Sequence, residues 1–175
     1  MERMGGFMIV DVSQLNNIRK GTNKKIVLAT GTFDLFHFEH LRYLQDAKIH
    51  GDILIVGVKD NACARLKGNN RPIIDESQRV EIVDNIKCVD YSILVNYKEN
   101  MEITLDYDNE AQCQWLKMFE KIFQQLHPDI LYYEENEKLQ SVRNRIFDTY
   151  NVQGVSRPRT EVISTTKIIE KLLKK

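Results

Sequence analysis

Short apolar runs that do not alternate with polar residues constrain this chain more than any other feature. Lys25-Ile-Val-Leu-Ala-Thr30, Asp52-Ile-Leu-Ile-Val-Gly-Val58, Tyr91-Ser-Ile-Leu-Val95 and Asp129-Ile-Leu-Tyr-Tyr133 are rich in β-branched side chains and too short for buried helices. A strand with one wet face alternates. A run that does not alternate is covered on both faces, which is the condition of a parallel sheet. Val152–Val155 reads as a fifth, weaker strand. Helical spacing fills the gaps. Phe38–His50 carries Leu41, Leu44 and Ala47 on one face and ends at Gly51. Asn61–Leu66 is a short helix, and Asp75-Glu-Ser-Gln78 resembles a capping box opening a helix with Val80, Val83 and Ile86 inward. Gln112–Leu126, Asn136–Tyr150 and Ser164–Leu173 complete the set. Strands alternating with helices predict an α/β fold: a Rossmann-like open parallel sheet of about five strands with helices on both faces. Residues 1–23 read as an N-terminal extension with a helix over Val12–Arg19, and residues 24–175 as the domain.

Composition narrows what such a domain can do. The 42% of apolar residues supply a core, and 175 residues suit one domain. Lys plus Arg and Asp plus Glu are 25 each, so no basic field speaks for nucleic acid. Cys63, Cys88 and Cys113 are odd in number and lack C-x-x-C spacing, which fits a reducing cytoplasmic setting rather than a disulfide framework or zinc site. No apolar stretch approaches the ~18 residues of a membrane span, and none reads as a signal peptide.

In an open α/β sheet the ligand sits beyond the carboxyl ends of the strands, at the switch point. That rule selects Thr30–His40, Lys59–Arg71, Tyr133–Lys138 and Ser156–Thr166. The first of these holds Gly31-Thr-Phe-Asp-Leu-Phe-His-Phe-Glu-His40. Gly31 is expected to let the chain turn sharply off the strand. His37 and His40 straddle a helix start at a spacing that lets both face one spot. A helix N-terminus suits phosphate, and two imidazoles there can donate to phosphoryl oxygens whose charge grows in a transition state. Lys67-Gly-Asn-Asn-Arg-Pro72 reads as a loop. Tyr132 and Tyr133 read as strand-end packing, His50 and His127 as incidental, Phe119 and Ile122 with Trp115 as core, and Glu99–Glu110 as a solvated loop.

Gly-x-Phe-Asp-x-x-His-x-x-His after the first strand resembles the signature of the cytidylyltransferase-like superfamily, whose motif is usually written H-x-G-H. Lys67-Gly-Asn-Asn-Arg-Pro72 followed by Gln78-Arg79 is similar to the family's lysine loop and the arginine that opens the next helix. Asp90-Tyr91 also matches, and Arg159-Thr-Glu-Val-Ile-Ser-Thr-Thr-Lys167 resembles the R-T-E-G-I-S-T motif of glycerol-3-phosphate and choline-phosphate cytidylyltransferases. The resemblance implies transfer of CMP from CTP to a phosphorylated small alcohol or polyol, with Mg²⁺ on the triphosphate and pyrophosphate released. It gives His37, His40, Lys67 and Arg159 the catalytic roles. Thr30, Gly31, Thr32, Phe33, Arg159, Ile163, Ser164, Thr165 and Thr166 would join the histidines around the nucleotide. Lys67 and, more weakly, Asp34 would meet the acceptor, Asp34 otherwise bracing the turn. No protein metal ligand is implied; a homodimer is.

Three positions depart from the pattern. Glu39 and Val162 stand where the family has glycine, and Tyr132-Tyr-Glu-Glu-Asn136 stands where relatives carry Gly-Asp-Asp or Gly-Gly-Asp. Two further readings therefore accompany the first. One is an adenylyltransferase using ATP and a sugar phosphate, of the ADP-heptose-synthesis kind, which Lys67–Pro72 resembles equally well. The other is a homologue that binds nucleotide without catalysis.

Overall fold

The first apolar run, β1 (Ile26–Gly31), shows why it does not alternate: Ile26, Val27, Leu28 and Ala29 expose nothing, although successive side chains point to opposite faces. A computed structural model of the chain describes residues 8–66, 68, 70–96, 119–136, 139–159 and 163–174. It places β1 at the centre of a five-stranded sheet with β2 (Ile53–Lys59), β3 (Tyr91–Val95), β4 (Ile130–Glu134) and β5 (Gln153–Arg157). The spatial order is β3-β2-β1-β4-β5, and every pairing is parallel. The order reverses between β1 and β4, so the crevice for a ligand lies at their carboxyl ends.

Helices cover both faces. On one face α2 (Phe38–Lys48) contributes Tyr43, Leu44 and Ala47, and α4 (Glu76–Asp84) contributes Val80 and Val83, against Val27, Val56, Val58 and Tyr132. On the other, Leu28, Ile55, Ile93 and Leu131 meet Leu15 of α1 (Leu15–Lys20), Phe119, Ile122 and Phe123 of α5 (described over 119–126), and Ile146 of α6 (Gln140–Tyr150). Each fully buried Leu, Ile, Val or Phe contributes roughly 1.5–3 kcal/mol of transfer free energy. The short α3 (Asn61–Arg65) and the last helix, α7 (Thr165–Leu173), lie beyond the carboxyl end of the sheet; α7 buries no residue. Among the described residues no helix is long and apolar enough to cross a membrane.

Two expectations change in detail. Residues 8–20 pack onto the sheet: Asp11 and Gln14 cap each other's backbone, Leu15 is wholly buried, and Arg19 Nη1 reaches Asp129 Oδ2 at 2.8 Å. Gly31 does not turn the chain; it ends β1, and the sharp turns fall at Phe33 (φ 53°) and Leu35 (φ 45°). The close approach at 31 favours glycine: a Cβ there would lie 2.7 Å from Phe33 Cζ, and the buried ring would have to shift. Asp75 caps α4 as expected, through the Ser77 amide. The expected loop at Glu99–Glu110 lies outside the described residues, as do Cys113 and Trp115.

Candidate functional site

The left-handed turns at Phe33 and Leu35 throw the chain across the carboxyl end of β1 and start α2 there. Phe33, 3% exposed, packs its ring over Gly31 and stands edge-on to His40, with centroids 5.4 Å apart. Phe36 lies 5.5 Å from His40 on another side. The His40 imidazole is thereby held stacked on His37, centroids 3.8 Å apart and planes 19° from parallel. His37 is the N-cap of α2 in an extended conformation, with no side-chain cap bond. The amides of Phe38, Glu39 and His40 thus have no acceptor within the helix.

A second helix start closes on the first. Ser164 caps α7, its Oγ accepting from Lys167 N at 3.2 Å. Thr165 Oγ1 donates to Asp34 O at 2.7 Å, and Arg71 Nη2 to Thr166 Oγ1 at 3.0 Å. Asp34 is the brace behind both. Its carboxylate accepts from the amides of Ile73 and Ile74 at 3.0–3.1 Å and pairs with Arg71 at 3.3 Å. Those oxygens are spent on the protein, so the structure leaves Asp34 bracing the turn rather than facing an acceptor.

Between the two helix starts is a cavity of about 550 Å³ lined by Thr30, Gly31, Thr32, Phe33, Asp34, His37 and His40, by Arg159, and by Ile163, Ser164, Thr165 and Thr166. Residues far apart in the chain but singled out by the motifs share one space. Lys67, Thr160 and Val162 lie outside the described residues. Two polar atoms on this wall, Thr32 Oγ1 and His37 Nδ1, are shut from solvent with no protein partner among the described residues. Buried polar atoms normally have partners, so both are available to a bound ligand or water. Burial pushes His37 below the usual histidine range, with Glu39 pulling the other way, which favours the neutral ring.

Glu39 replaces the motif glycine without opposing an anion unchecked. Its Oε2 accepts from Arg157 Nη2 at 3.0 Å; Arg157 also meets Asp46 at 3.1 Å and Glu134 at 3.5 Å. Arg157 is buried and draws the carboxylate toward β5. We expect Glu39→Gln to lower stability by about 1 kcal/mol, because Arg157 keeps two other carboxylates. A thermal melt checks this; a loss several times larger would show Glu39 to be the anchor of the cluster.

Several residues at the cavity and its rim have no role assigned from sequence, although Arg71 and Arg79 stand inside the matched motifs. Tyr43, buried in α2, donates its hydroxyl to Tyr132 O at 2.9 Å and to Thr30 O at 3.4 Å, tying β4 to β1 at the switch point. Arg71, Lys59 and Arg143 line the same space. Arg79, wholly buried, donates to Ile74 O (2.9 Å), Thr32 O (2.5 Å), Lys59 O (2.7 Å) and Asn61 Oδ1 (3.0 Å), joining three loops of the rim. A charged residue ending an apolar strand run, as Lys59 does, was the available signal. Of the cavity carboxylates, Asp34, Glu39 and Glu134 are committed to protein cations or amides, and Glu135 accepts from the Ser156 hydroxyl at 3.2 Å. Among the described residues no group of three or more His, Cys, Asp or Glu is placed to hold a metal ion.

A family model described as Cytidylyltransferase-like matches residues 28–171. The bifunctional protein HldE of Citrifermentans bemidjiense is 34% identical over 157 residues, covering 86% of this chain and 27% of that protein. HldE of Helicobacter pylori strain HPAG1 is 38% identical over 124 residues, covering 70% and 23%. The chain thus spans about a quarter of the length of these curated relatives. Among solved structures, the lipopolysaccharide core biosynthesis protein from Thermoplasma volcanium superposes with a TM-score of 0.56 at 24% identity, over 81% of this chain and all of that one. Pantothenate synthetase from Thermus thermophilus superposes with a TM-score of 0.64 at 16% identity, over 91% of this chain and 66% of that one. At those identities the likeness speaks for the fold alone.

Proposed function

Because this chain belongs to the cytidylyltransferase-like family, we propose that it passes a nucleoside monophosphate from a nucleoside triphosphate to a phosphorylated small molecule, releasing pyrophosphate. The observation that carries the reading is the single cavity in which the stacked His37–His40 pair at the start of α2 faces Ser164, Thr165 and Thr166 at the start of α7. Two helix starts, two imidazoles, Arg71 and Arg159 make one polyanion cradle. In this reading the triphosphate lies between the helix starts. His37 and His40 donate to phosphoryl oxygens as charge builds on them, and Thr32 Oγ1 finds its partner there. Arg159 closes over the nucleotide, and Lys67 contacts phosphates from the loop before Pro72. Mg²⁺ arrives with the triphosphate and shields its charge. The acceptor phosphate is already ionised, so no protein base is needed and catalysis is positioning plus charge stabilisation.

The curated relatives favour ATP and a sugar phosphate over CTP and a polyol phosphate. They belong with the branch that the Lys67–Pro72 loop resembles. The CMP-transfer reading keeps one specific support, Arg159-Thr-Glu followed by Ile163-Ser-Thr-Thr. Pyrophosphate release measured with ATP and CTP, each against sugar 1-phosphates, glycerol 3-phosphate and choline phosphate, decides between them. ATP with a sugar phosphate is the expected best pair. Turnover at least tenfold faster with CTP establishes the second reading, and no release with any pair leaves a binding protein.

A further inference from the structure

Arg157 joins two stretches of the cavity wall that come from opposite ends of the sequence. It is the last residue of β5, paired in register with Glu134 of β4, and its carbonyl accepts from Glu135 N at 2.9 Å. Only Pro158 separates it from Arg159 on the cavity wall. Proline fixes its own φ and keeps the residue before it extended, so the placing of Arg157 carries over that short link. The side chain reaches across to α2. Nη2 meets Glu39 Oε2 at 3.0 Å, Nη1 meets Asp46 Oδ2 at 3.1 Å, and the guanidinium carbon lies 5.7 Å from the centre of the Tyr43 ring.

Glu39 is the first-turn residue between His37 and His40. That turn opens without a side-chain cap, because His37 supplies none. An uncapped first turn frays, and a glycine in it would add backbone freedom. Here the turn is tethered from outside the helix. The tether is shielded from water: side-chain exposure is 12% at Glu39 and 10% at Arg157, against 45% at Asp46. A buried ion pair adds little net stability, since desolvation offsets attraction, but it demands a good geometry. A guanidinium fork is stricter in that demand than an ammonium. The contribution of the pair is therefore placement. The carboxylate at the motif-glycine position is the point by which β5 holds the start of α2.

We propose that Glu39 and Arg157 are a positioning pair: they lock the first turn of α2, with His37 and His40, to the strand end that leads into Arg159, so that both close on one triphosphate in a fixed relation. This rests on the nucleotidyltransferase reading and names the residues that set the geometry of its site. The pair acts through the imidazoles and through Arg159 rather than on the reacting atoms. A displacement of about 1 Å between such groups can cost on the order of a hundredfold in rate. The departure from the motif at 39 is thus matched by a second residue 118 positions away, and glycine at 39 is the wrong residue for this chain.

The test is pyrophosphate release by the whole chain with its best nucleotide and phosphorylated acceptor. Affinity for the Mg²⁺ complexes of the α,β-methylene analogues of ATP and CTP, and a thermal melt, accompany it. Glu39→Gly, which restores the family residue, should lower kcat about tenfold or more and weaken analogue binding about threefold. Glu39→Gln keeps an acceptor for Arg157 at the same reach and should recover most of the loss in kcat. Asp46→Asn removes the exposed carboxylate from the same arginine and should leave kcat within about twofold of native. Its melting temperature should fall about as far as that of Glu39→Gln, so the rates separate placement from stability. If the glycine variant unfolds, Arg157→Lys carries the test: it keeps the charge, gives up the fork, and should lower kcat about fivefold or more. A near-native rate in Glu39→Gly, or in Arg157→Lys where that is the variant that folds, overturns the proposal. So does an Asp46→Asn rate that falls as far. Analogue binding that weakens in Glu39→Gly, in a chain without turnover, keeps the pair and removes the group-transfer reading. A native chain that binds neither analogue overturns both.

Discussion

His40→Ala should slow pyrophosphate release about a hundredfold or more while leaving the melting temperature nearly unchanged. The imidazole is stacked on His37 at 3.8 Å and wedged between Phe33 and Phe36, so its direction is set before any ligand arrives. A pre-aimed donor needs no reorganisation as charge builds on the phosphoryl oxygens, and removing one such donor elsewhere costs roughly 2.7–4 kcal/mol of barrier. Deleting the ring also frees His37 to move, so the double variant should be little slower than the single one. His40→Gln keeps a donor and should recover part of the rate. A rate within threefold of native in His40→Ala would remove the histidine from the chemistry.

Arg79→Leu should be the most destabilising change at the rim. The guanidinium has no exposed surface, and its donors serve the carbonyls of Thr32, Lys59 and Ile74 and the side chain of Asn61. Leucine fills much of the volume and supplies none of those donors. The carbonyls stay buried, and the carboxylates of Asp34, Asp60, Asp75 and Glu76 lose a shared cation. Breaking a buried charge network costs about 3–5 kcal/mol. For a domain of this size that corresponds to a melting temperature lower by about 6–20 °C. A shift under about 2 °C would mean that the loops hold their places by packing alone. Thr32 O and Lys59 O both accept from Arg79 Nη1, so Arg79→Leu should also weaken nucleotide binding at this rim.

The strands were legible because their physics is local. A run such as Ile53–Val58 with no polar alternation has only one stable setting, and four strands follow from it; β5, mostly exposed at the sheet edge, carries the weaker signal. The helix starts were legible from Ser164 and Asp75, which cap as their chemistry dictates. The turn after β1 was misplaced because left-handed backbone at Phe33 and Leu35 leaves no mark in composition. There the tertiary setting, with a ring lying over Gly31, overrides the residue's own preference. Glu39 read as an intruding charge because its partner, Arg157, is 118 positions away. The same distance problem hid Arg143, and it hid what Arg71 does within its motif, because the carbonyls and helix ends they reach are far away in the chain.

The account depends on a polyanion lying against the stacked imidazoles, and the four histidines of the chain provide an internal control. Their imidazole resonances can be followed as the Mg²⁺ complex of ATP is added. Burial favours the neutral His37 ring and a bound triphosphate should favour the protonated one, so nucleotide binding should strengthen as pH falls. The expected result is a saturable shift of the His37 and His40 resonances toward the protonated form, with His50 and His127 unmoved. Nucleotide binding that leaves His37 and His40 untouched would contradict it.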